Sequence, residues 1–303
     1  MKYIITGGAG FIGSNLVDYL VDDGHEVHVI DNFSTGKKEN CNQKALYHHY
    51  DISDITNIDV FVEIMQDTDC VFHCAALADV QSSIDNPMKY EINNTIGTIN
   101  MLKSASNAKV RMFVYSASSS VYGLTENLPS SEDDLPNPMS PYASQKYYGE
   151  ICCKVFSESS KLKTISLRYF NVYGERQSSD GVYANVVGIF IKQCLDGIPM
   201  TINGDGNQKR DFIYVGDVVK ANILASQSRT LGAGEVINIG NGKNISINDV
   251  AKLIGSNKIH KKPVSEPFAN LADVSKAKKV LHWEPLVELE DWIISYKSKI
   301  GLN

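Results

Sequence analysis

The sequence YIITGGAGFIG at residues 3–13 decides which fold we expect. Its first four residues are apolar and β-prone, which predicts a short buried strand, and residues 14–21 have the spacing of a helix. Gly7 permits a tight turn between them, Gly10 lets the backbone approach a pyrophosphate, and Gly13 lets the helix pack closely on the strand. The N-terminus of this helix offers free N–H groups to phosphates. The stretch therefore predicts a dinucleotide site.

An acidic residue after the second predicted strand narrows the choice of dinucleotide. Residues 26–30 are predicted to form that strand, and Asp31 lies at its end. A carboxylate there accepts hydrogen bonds from ribose hydroxyls and repels a 2′-phosphate, which favours NAD over NADP. A glycine triplet alone is a weak signal, whose alternative is a purely structural turn. The strand before it, the helix after it and Asp31 together favour the NAD site.

The composition excludes several other classes of protein. The 303 residues, 43% of them hydrophobic, are enough for a large core in one or two domains. A net charge of −6 argues against a nucleic-acid partner, because binding to phosphates needs a basic face. No apolar run approaches the roughly 20 residues that span a bilayer, and the start has no signal-peptide pattern. The six scattered cysteines lack metal-ligand spacing, so we expect reduced thiols, no metal site and a cytoplasmic protein.

Strands and helices are predicted to alternate along the first part of the chain. Further strands are expected at residues 70–76, 111–116 and 164–169, with helices at 89–107 and 142–157. This order predicts an α/β fold with a Rossmann-type, doubly wound parallel sheet.

The texture of the sequence changes after about residue 171. Turns rich in asparagine and glycine, at residues 203–207 and 238–243, separate shorter elements. We therefore expect a NAD-binding domain at residues 1–170 and a smaller α/β C-terminal substrate domain at residues 171–303. Some of the later segments are expected to return to the first domain.

A tyrosine and a lysine give the predicted site a specific chemistry. Tyr142 and Lys146 are four residues apart, which places them on one face of a helix. Ser140 is a suitable N-cap and Pro141 a suitable first residue for that helix. A free phenol, with a pKa of about 10, is a weak base at neutral pH. We expect Lys146 and an oxidised nicotinamide to lower the pKa of Tyr142, so that it takes a proton from a substrate hydroxyl.

A serine follows the strand predicted at residues 111–116. Ser118 belongs to the run SASSS at residues 116–120 and falls at the carboxyl edge of the sheet, where doubly wound folds bind their ligands. A polar turn is the alternative interpretation. Beside Tyr142 and Lys146, Ser118 is better interpreted as the donor in a donor–base pair around one substrate hydroxyl.

These motifs resemble those of the extended short-chain dehydrogenases/reductases and, within that group, the nucleotide-sugar 4-epimerases. The resemblance covers nearly the whole chain. The matching segments are GGAGFIGS at 7–14, DNFSTG at 31–36, DI at 51–52, HCAA at 73–76, NTIGT at 94–98, the serine run, Tyr142 with Lys146, LRYFN at 167–171, GDG at 204–206, RDF at 210–212 and ADVSKA at 272–277.

The resemblance implies a set of residues that bind NAD. Asp51 and Ile52 would contact the adenine, and Tyr169 and Phe170 would border the nicotinamide. His73 is better interpreted as a buried structural histidine than as a catalyst. The implied cofactor-binding residues are Gly7, Gly10, Phe11, Ile12, Gly13, Asp31, Asn32, Phe33, Ser34, Thr35, Gly36, Asp51, Ile52, Ala75, Ala76, Leu77, Asn94, Tyr142, Lys146, Tyr169 and Phe170.

The resemblance also implies a reaction, the NAD-dependent 4-epimerisation of a UDP-hexose. Tyr142 would take the proton from the sugar 4-hydroxyl while NAD takes the hydride from C4, and Ser118 would hydrogen-bond the same oxygen. The 4-keto sugar would turn over and receive the hydride on its other face. NAD is regenerated in each cycle, so we expect it to stay bound.

Other functions stay open. Sugar 4,6-dehydratases of the superfamily typically have Asp-Glu after the serine, and nucleotide-sugar decarboxylases have a glutamate in this stretch, whereas this chain has Ser119 and Ser120. A UDP-glucuronate 4-epimerase, or another nucleotide-sugar enzyme of the dehydratase or decarboxylase type, is the alternative. A non-catalytic NAD-binding regulatory protein is the remote alternative, and it would be expected to lack Tyr142 or Lys146.

The resemblance places the substrate mainly in the second half of the chain. Arg210 would clamp the diphosphate with its fork of donors, and its alternative is a surface ion pair with Asp211. Asn171 would donate to the same diphosphate. In the family, the positions of Asn185, Val186, Thr201 and Asn203 hold the uracil and its ribose. The resemblance therefore implies that the substrate carries UDP. The implied substrate-binding residues are these together with Ser118, Ser119, Ser120, Tyr142, Glu266 and Asn270.

Three features bear on which sugar is bound. The family's second diphosphate-binding arginine falls at about Pro263, and Lys262 is the nearby cation that would replace it. Asn270 occupies the position that gates the sugar pocket, where a tyrosine goes with unmodified hexoses and a small residue admits an N-acetyl group. Residues 181–185 resemble a segment of epimerases that accept N-acetylated sugars. We therefore expect UDP-glucose/UDP-galactose and also UDP-GlcNAc/UDP-GalNAc as substrates.

The resemblance implies a homodimer with a four-helix contact that includes the helix of Tyr142. Val155 and Phe156 on that helix are candidates for the contact, and core packing explains them equally well.

Overall fold

The strand that precedes the glycine-rich turn lies inside a large sheet. The computed structural model describes residues 1–125, 127–179, 185–264 and 266–302. Its strands are β1 (Lys2–Thr6), β2 (Glu26–Asp31), β3 (Leu46–His49), β4 (Cys70–His73), β5 (Met112–Ser118), β6 (Lys163–Tyr169), β7 (Asn171–Tyr173), β8 (Met200–Asn203), β9 (Lys209–Tyr214), β10 (Ala233–Ile239), β11 (Asn244–Ser246) and β12 (Lys258–Lys261). Its α-helices are α1 (Phe11–Asp22), α2 (Ile58–Ile64), α3 (Val80–Asp85), α4 (Pro87–Tyr90), α5 (Gly97–Asn107), α6 (Pro141–Ser159), α7 (Val186–Leu195), α8 (Val215–Gln227), α9 (Ile247–Ile254), α10 (Ser275–Leu281) and α11 (Leu289–Ile300).

Seven parallel strands form the large sheet, in the order β10-β6-β5-β4-β1-β2-β3. The winding reverses between β1 and β4, which is where doubly wound folds bind ligands. A Cβ atom on Gly7 would lie 2.7 Å from the backbone of Ala75, so only glycine lets the turns after β1 and β4 approach this closely. The predicted α/β fold with a doubly wound parallel sheet is confirmed.

Helices cover both faces of this sheet. On one face, α1 and α8 contribute Leu16 and Val218 to a buried cluster with side chains of the strands. On the other face, α2 and α5 contribute Phe61 and Met101 to a second cluster. Because both faces are buried, the strands are nearly continuous apolar runs and do not alternate with polar residues.

The helix predicted at residues 89–107 is interrupted. α4 leads into a π-helical segment, Glu91–Ile96, before α5 begins. Within this segment the side chain of Asn94 points inward, where its amide donates to the carbonyl of Leu77 (3.0 Å) and accepts from the Leu77 N–H (2.8 Å). Such wider turns often occur at functional sites. Apolar periodicity predicted the helix and carried no sign of this turn.

The smaller unit is built from the chain after residue 170. β7, β9 and β11 form a three-stranded sheet, β8 pairs with β12, and α7, α9 and α11 pack against them around Tyr173 and Trp292. α8, β10 and α10 instead pack with the first unit, so the later part of the chain contributes to both units. Within the described ranges, no helix combines the length and the apolar character needed to cross a membrane.

Candidate active site

The glycine-rich turn has the geometry of a diphosphate cradle. Gly10 caps α1 without a side chain, and the first helical N–H to find a carbonyl is that of Ser14, which donates to Gly10 O (3.0 Å). The N–H groups of residues 11–13 therefore have no acceptor within the helix. A Cβ atom on Gly13 would lie 2.2 Å from the carbonyl oxygen of Gly7, so the turn closes only with glycine. Donors of this kind at a helix N-terminus fit an anionic diphosphate.

Asp31 organises the loops around this cradle. Its carboxylate is buried and accepts from the N–H of Ala9 (2.9 Å) and the N–H of Phe33 (2.8 Å). The side chain lines the cleft and also holds the glycine-rich turn against the loop that follows β2. The carboxylate of Asp31 thus has a structural role, and its predicted contact with the ribose stays a prediction.

A cleft opens along the carboxyl ends of β1, β2 and β4. Two-thirds of the predicted cofactor-binding residues line it, and they come from the glycine-rich turn, the loop after β2 and the turn after β4. They are Gly7, Gly10, Phe11, Ile12, Gly13, Asp31, Asn32, Ser34, Thr35, Gly36, Ile52, Ala75, Ala76 and Leu77. The structure therefore brings together segments that are far apart in the sequence.

Three predicted cofactor residues support this cleft from behind. Asp51 accepts from the side chain of Asn32 (3.0 Å), which stands in the wall. Phe33 packs its ring edge-on against that of His49. Asn94 is only 2% exposed, and its amide is bonded to Leu77 and to the side chain of Gln145. The π-helical segment turns the side chain of Asn94 onto the backbone of Leu77, which lines the cleft, and a contact of Asn94 with the cofactor stays a prediction.

The predicted catalytic residues meet where β5 and α6 adjoin. The hydroxyl of Ser140 accepts from the N–H of Ala143 (3.1 Å) and caps α6, and Pro141 begins the helix, as predicted. The phenol of Tyr142 is hydrogen-bonded to the hydroxyl of Ser118. Lys146, one turn further, is buried and donates from Nζ to the carbonyl of Ser116 (2.8 Å). Its Nζ lies 5.9 Å from the centroid of the Tyr142 ring.

Burial dominates the electrostatics of this group. It raises the pKa of Tyr142 to about 12, against the opposing effect of the hydrogen bond with Ser118. It lowers the pKa of Lys146 to about 8. Both shifts favour the neutral form, because a low-dielectric environment disfavours phenolate and ammonium alike. In the protein by itself, the pKa of Tyr142 is therefore raised and not lowered, because desolvation outweighs the hydrogen bond with Ser118. The lowering expected beside an oxidised nicotinamide stays a prediction.

The residues predicted beside the nicotinamide are buried next to the catalytic group. The hydroxyl of Tyr169 donates to the side chain of Asn222 (3.0 Å) and lies 3.3 Å from Ser116 Oγ. Phe170 packs in a small apolar cluster with Val121. Both side chains are at most 6% exposed and are not among the residues that line the described cleft, so their position beside the nicotinamide stays a prediction.

His73 is a structural histidine, as predicted. It is 1% exposed, with Nδ1 bonded to Thr6 Oγ1 (2.8 Å) and Nε2 to Thr98 Oγ1 (2.9 Å). Burial lowers its pKa to about 3, so the imidazole is neutral. Both ring nitrogens are occupied, and the side chain is not a candidate base.

Arg210 has a different partner from the one considered in the sequence. Its Nη2 pairs with Glu266 Oε2 (2.6 Å), and its Nη1 donates to the carbonyl of Lys209 (2.8 Å). The alternative of an ion pair with Asp211 is wrong, because Asp211 is fully buried and faces the opposite way. Its carboxylate accepts from three backbone N–H groups, those of Asn241, Gly242 and Ala272.

Asn171 and Asn270 lie together beside this strand. Asn171 Nδ2 donates to the carbonyl of Asp211 (2.7 Å) and to Asn270 Oδ1 (3.2 Å). Asn270 Oδ1 also accepts from the N–H of Asp211 (2.8 Å). The amide predicted to gate the sugar pocket is thereby fixed against β9.

The residues predicted to hold the uracil lie on α7 and β8. Asn185 caps α7 by accepting from the N–H of Gly188 (2.9 Å), and it also lines the cleft. Val186 packs on the core of the smaller unit, and Thr201 is bonded twice to Gln193. Asn203 is exposed at the end of β8. Residues 181–184 of the segment compared with N-acetyl-accepting epimerases lie outside the described residues.

The cleft has lining residues that were not predicted from the sequence. Cys74 belongs to the matching segment HCAA, which could have indicated its position in the cleft. The residues around Arg176 form no motif that would predict a contact with the cleft. The additional lining residues are Ile30, Lys37, Asn40, Tyr50, Cys74, Ala78, Asn93, Arg176 and Ser178.

Known proteins are similar to this chain over nearly its whole length. The model of the NAD-dependent epimerase/dehydratase family matches residues 3–240. A provisional UDP-glucose 4-epimerase of Methanocaldococcus jannaschii is 39% identical, over 96% of this chain and 95% of its own. The crystal structure of a Thermotoga maritima UDP-glucose 4-epimerase with UDP-glucose has a TM-score of 0.92 and 37% identity, covering 99% of this chain and 100% of the other. A Bacillus cereus UDP-glucuronic acid 4-epimerase with UDP-glucuronic acid and NAD has a TM-score of 0.89 and 35% identity, covering 99% of both.

These similarities agree with the site described above. The predicted resemblance to nucleotide-sugar epimerases is confirmed, and NAD is confirmed as the cofactor of the family. With its glycine-rich cradle and its Ser118–Tyr142–Lys146 group, this chain belongs to the NAD-dependent epimerase/dehydratase family.

Proposed function

We propose that this chain interconverts UDP-hexoses by 4-epimerisation, with UDP-glucose/UDP-galactose and UDP-GlcNAc/UDP-GalNAc as substrates. The observation that carries the proposal is the contact between the Tyr142 phenol and the Ser118 hydroxyl, with Lys146 one helical turn away, beside the cleft that fits NAD. A substrate hydroxyl at this point would meet a donor and a base together.

In this proposal, each catalytic residue has one task at the sugar 4-oxygen. NAD, when bound, supplies the acceptor and the donor of hydride and the positive charge of its oxidised ring. Tyr142 takes and returns the proton of the 4-hydroxyl. Ser118 hydrogen-bonds the same oxygen and the phenol. Lys146 in its ammonium form favours the phenolate and opposes the burial that raises the pKa of Tyr142.

The residues after Ser118 favour epimerisation over elimination or decarboxylation. Ser119 and Ser120 stand where the competing reactions need carboxyl groups, and Ser120 Oγ donates to Ser118 Oγ (2.9 Å). A serine hydroxyl stays protonated at neutral pH and does not serve as an acid–base pair for loss of water. UDP-glucuronate 4-epimerisation is the second candidate, and the 35% identity to the Bacillus cereus enzyme is what favours it.

We assign the UDP to the face formed by β7, β8, β9 and α7. Arg210 and Asn171 would contact the diphosphate, and Glu266 together with the carbonyl of Lys209 holds the guanidinium of Arg210 in place. Asn185, Val186, Thr201 and Asn203 would hold the uridine. The side chain of Asn270 is smaller than a tyrosine and is fixed against β9 by its bond with the N–H of Asp211. It would therefore leave room for an N-acetyl group.

We also propose that two copies of the chain associate through α6. Tyr148, Ile151 and Val155 expose 42–52% of their surface along this helix, and Ile92 and Ile96 of the neighbouring π-helical segment are exposed as well. Phe156 packs in the core and is not part of this face. Sedimentation equilibrium should give a mass of twice 33.4 kDa, and Ile151→Glu should shift it towards the monomer. A wild-type monomer would contradict the proposal.

Proton NMR of the purified protein with UDP-GlcNAc, without added NAD, tests the function. New anomeric signals of UDP-GalNAc would establish 4-epimerisation, retained cofactor and an N-acetyl-tolerant pocket together. Conversion of UDP-galactose alone would restrict the substrate to unmodified hexoses. Conversion of UDP-glucuronate alone would favour the second candidate. If none of UDP-GlcNAc, UDP-galactose and UDP-glucuronate is converted, even after NAD has been added, the proposal of 4-epimerisation is overturned.

A further inference from the structure

Arg176 lines the cofactor cleft, although it follows β7 and not any of the strands that form the cradle. It faces α1, and its Nη2 pairs with Asp18 Oδ2 at 2.5 Å. Each side chain of the pair is 31% exposed, so the contact is largely withdrawn from solvent. A cation is thus fixed beside the helix whose N-terminus forms the diphosphate cradle.

The residues around Arg176 are attached to both units of the molecule. Asn15 of α1 donates from Nδ2 to the carbonyl of Glu175 (3.1 Å). On the other side, the Glu175 carboxylate accepts from the hydroxyl of Tyr214 (2.9 Å) and from Trp292 Nε1 (3.1 Å). Residues 174–178 therefore connect α1 with the core of the smaller unit, and we call them the strap.

The backbone of the strap is held in an unusual conformation. Arg176 has a φ of +67°, a left-handed conformation that is uncommon for residues other than glycine and asparagine. Gly174 has a φ of +141°, and a Cβ atom there would lie 2.5 Å from Val215 Cγ1. Such conformations persist where surrounding contacts impose them, and they cluster at ligand clamps. Here Asp18 and Asn15 contact the strap at Arg176 and at the carbonyl of Glu175.

We propose that the strap retains the dinucleotide, with Arg176 as a cofactor-binding residue. Its guanidinium adds positive charge to the cleft that contains the diphosphate cradle, and the Asp18–Arg176 pair ties the strap to α1 at the wall of that cleft, so that breaking the pair should speed release. This inference rests on the cofactor site proposed above. The ligand of Arg176 would be the anionic diphosphate of the dinucleotide, although Arg176 lies outside the glycine-rich motif.

The test uses the NADH-loaded protein and the rate at which it releases NADH. Release into an excess of NAD is followed by the loss of bound NADH fluorescence. Arg176→Gln removes the charge and the tie, so we expect release about tenfold faster. Asp18→Asn removes the tie alone and keeps the bond that Asn42 donates to Asp18 (2.7 Å), so we expect release about threefold faster. Both effects should shrink at high salt, because the pair is partly exposed.

A matched control separates the strap from general effects of charge. Glu158→Gln breaks an exposed ion pair with Lys154 at the far end of α6, and it should release NADH at the wild-type rate. Release at the wild-type rate from both strap variants, each with wild-type thermal stability, would overturn the proposal while leaving the cofactor site intact. A wild-type protein that binds no NADH at all would overturn the cofactor site and the strap together.

Discussion

Glu150 of α6 and Arg168 of β6 form a buried ion pair, in which each charge depends on the other to offset the cost of burial. Arg168 Nε and Nη2 donate to the two carboxylate oxygens of Glu150 at 2.8 and 2.7 Å, and both side chains are at most 4% exposed. The guanidinium also stacks over the ring of Tyr122, 4.8 Å from its centroid. Glu150→Gln would leave this cation buried without a counter-charge. Breaking one side of a buried pair costs about 3–5 kcal/mol, which we take as the expected loss of unfolding free energy.

Urea denaturation of the NAD-loaded protein measures this loss. Trp283 and Trp292 lie in the cores of the two units, so their fluorescence reports on both. Glu158→Gln on the same helix is the control, because its ion pair has 64% exposed side chains and is worth at most about 1 kcal/mol. The double change Glu150→Met with Arg168→Met should be less destabilised than Glu150→Gln alone, since it removes both charges. A Glu150→Gln variant as stable as the control would refute the reasoning.

Three further predictions concern catalysis. Tyr142→Phe should slow epimerisation by about 10²–10⁴-fold while the protein still carries NAD, as measured by NMR and by cofactor absorbance, and unchanged turnover would remove Tyr142 as the base. Asn270→Tyr should reduce turnover of UDP-GlcNAc and spare UDP-galactose, whereas Asn270→Ala should spare both; equal losses on both substrates in the tyrosine variant would contradict the gate. Burial lowers the pKa of Lys146 to about 8, so the ammonium is lost as pH rises through that value, and turnover should fall above pH 8. A pH profile flat to pH 10 would show that the charge of Lys146 is not needed.

Local features of the chain were predictable because they depend on neighbours in the sequence. The glycine-rich turn, the cap at Ser140 and the pairing of Tyr142 with Lys146 on one helix face follow from side-chain size, hydrogen-bonding groups and helical spacing. The parallel sheet follows from alternation of strands and helices with buried, apolar strands. These parts of the fold were predicted correctly from the sequence.

The remaining features depend on contacts between distant segments. The π-helical turn at Asn94, the pairing of Arg210 with Glu266 and the position of Arg176 all involve partners that lie far along the chain. Burial raises the pKa of Tyr142 in the protein by itself, and sequence spacing gave no sign of this because it places the lysine but says nothing of the depth of burial. Local sequence was therefore enough to recognise the cofactor motif and to choose the candidate acid–base groups. The electrostatics of these groups and the position of the strap beside the cleft became visible with the packed structure, because desolvation and long-range ion pairs arise when distant segments pack together.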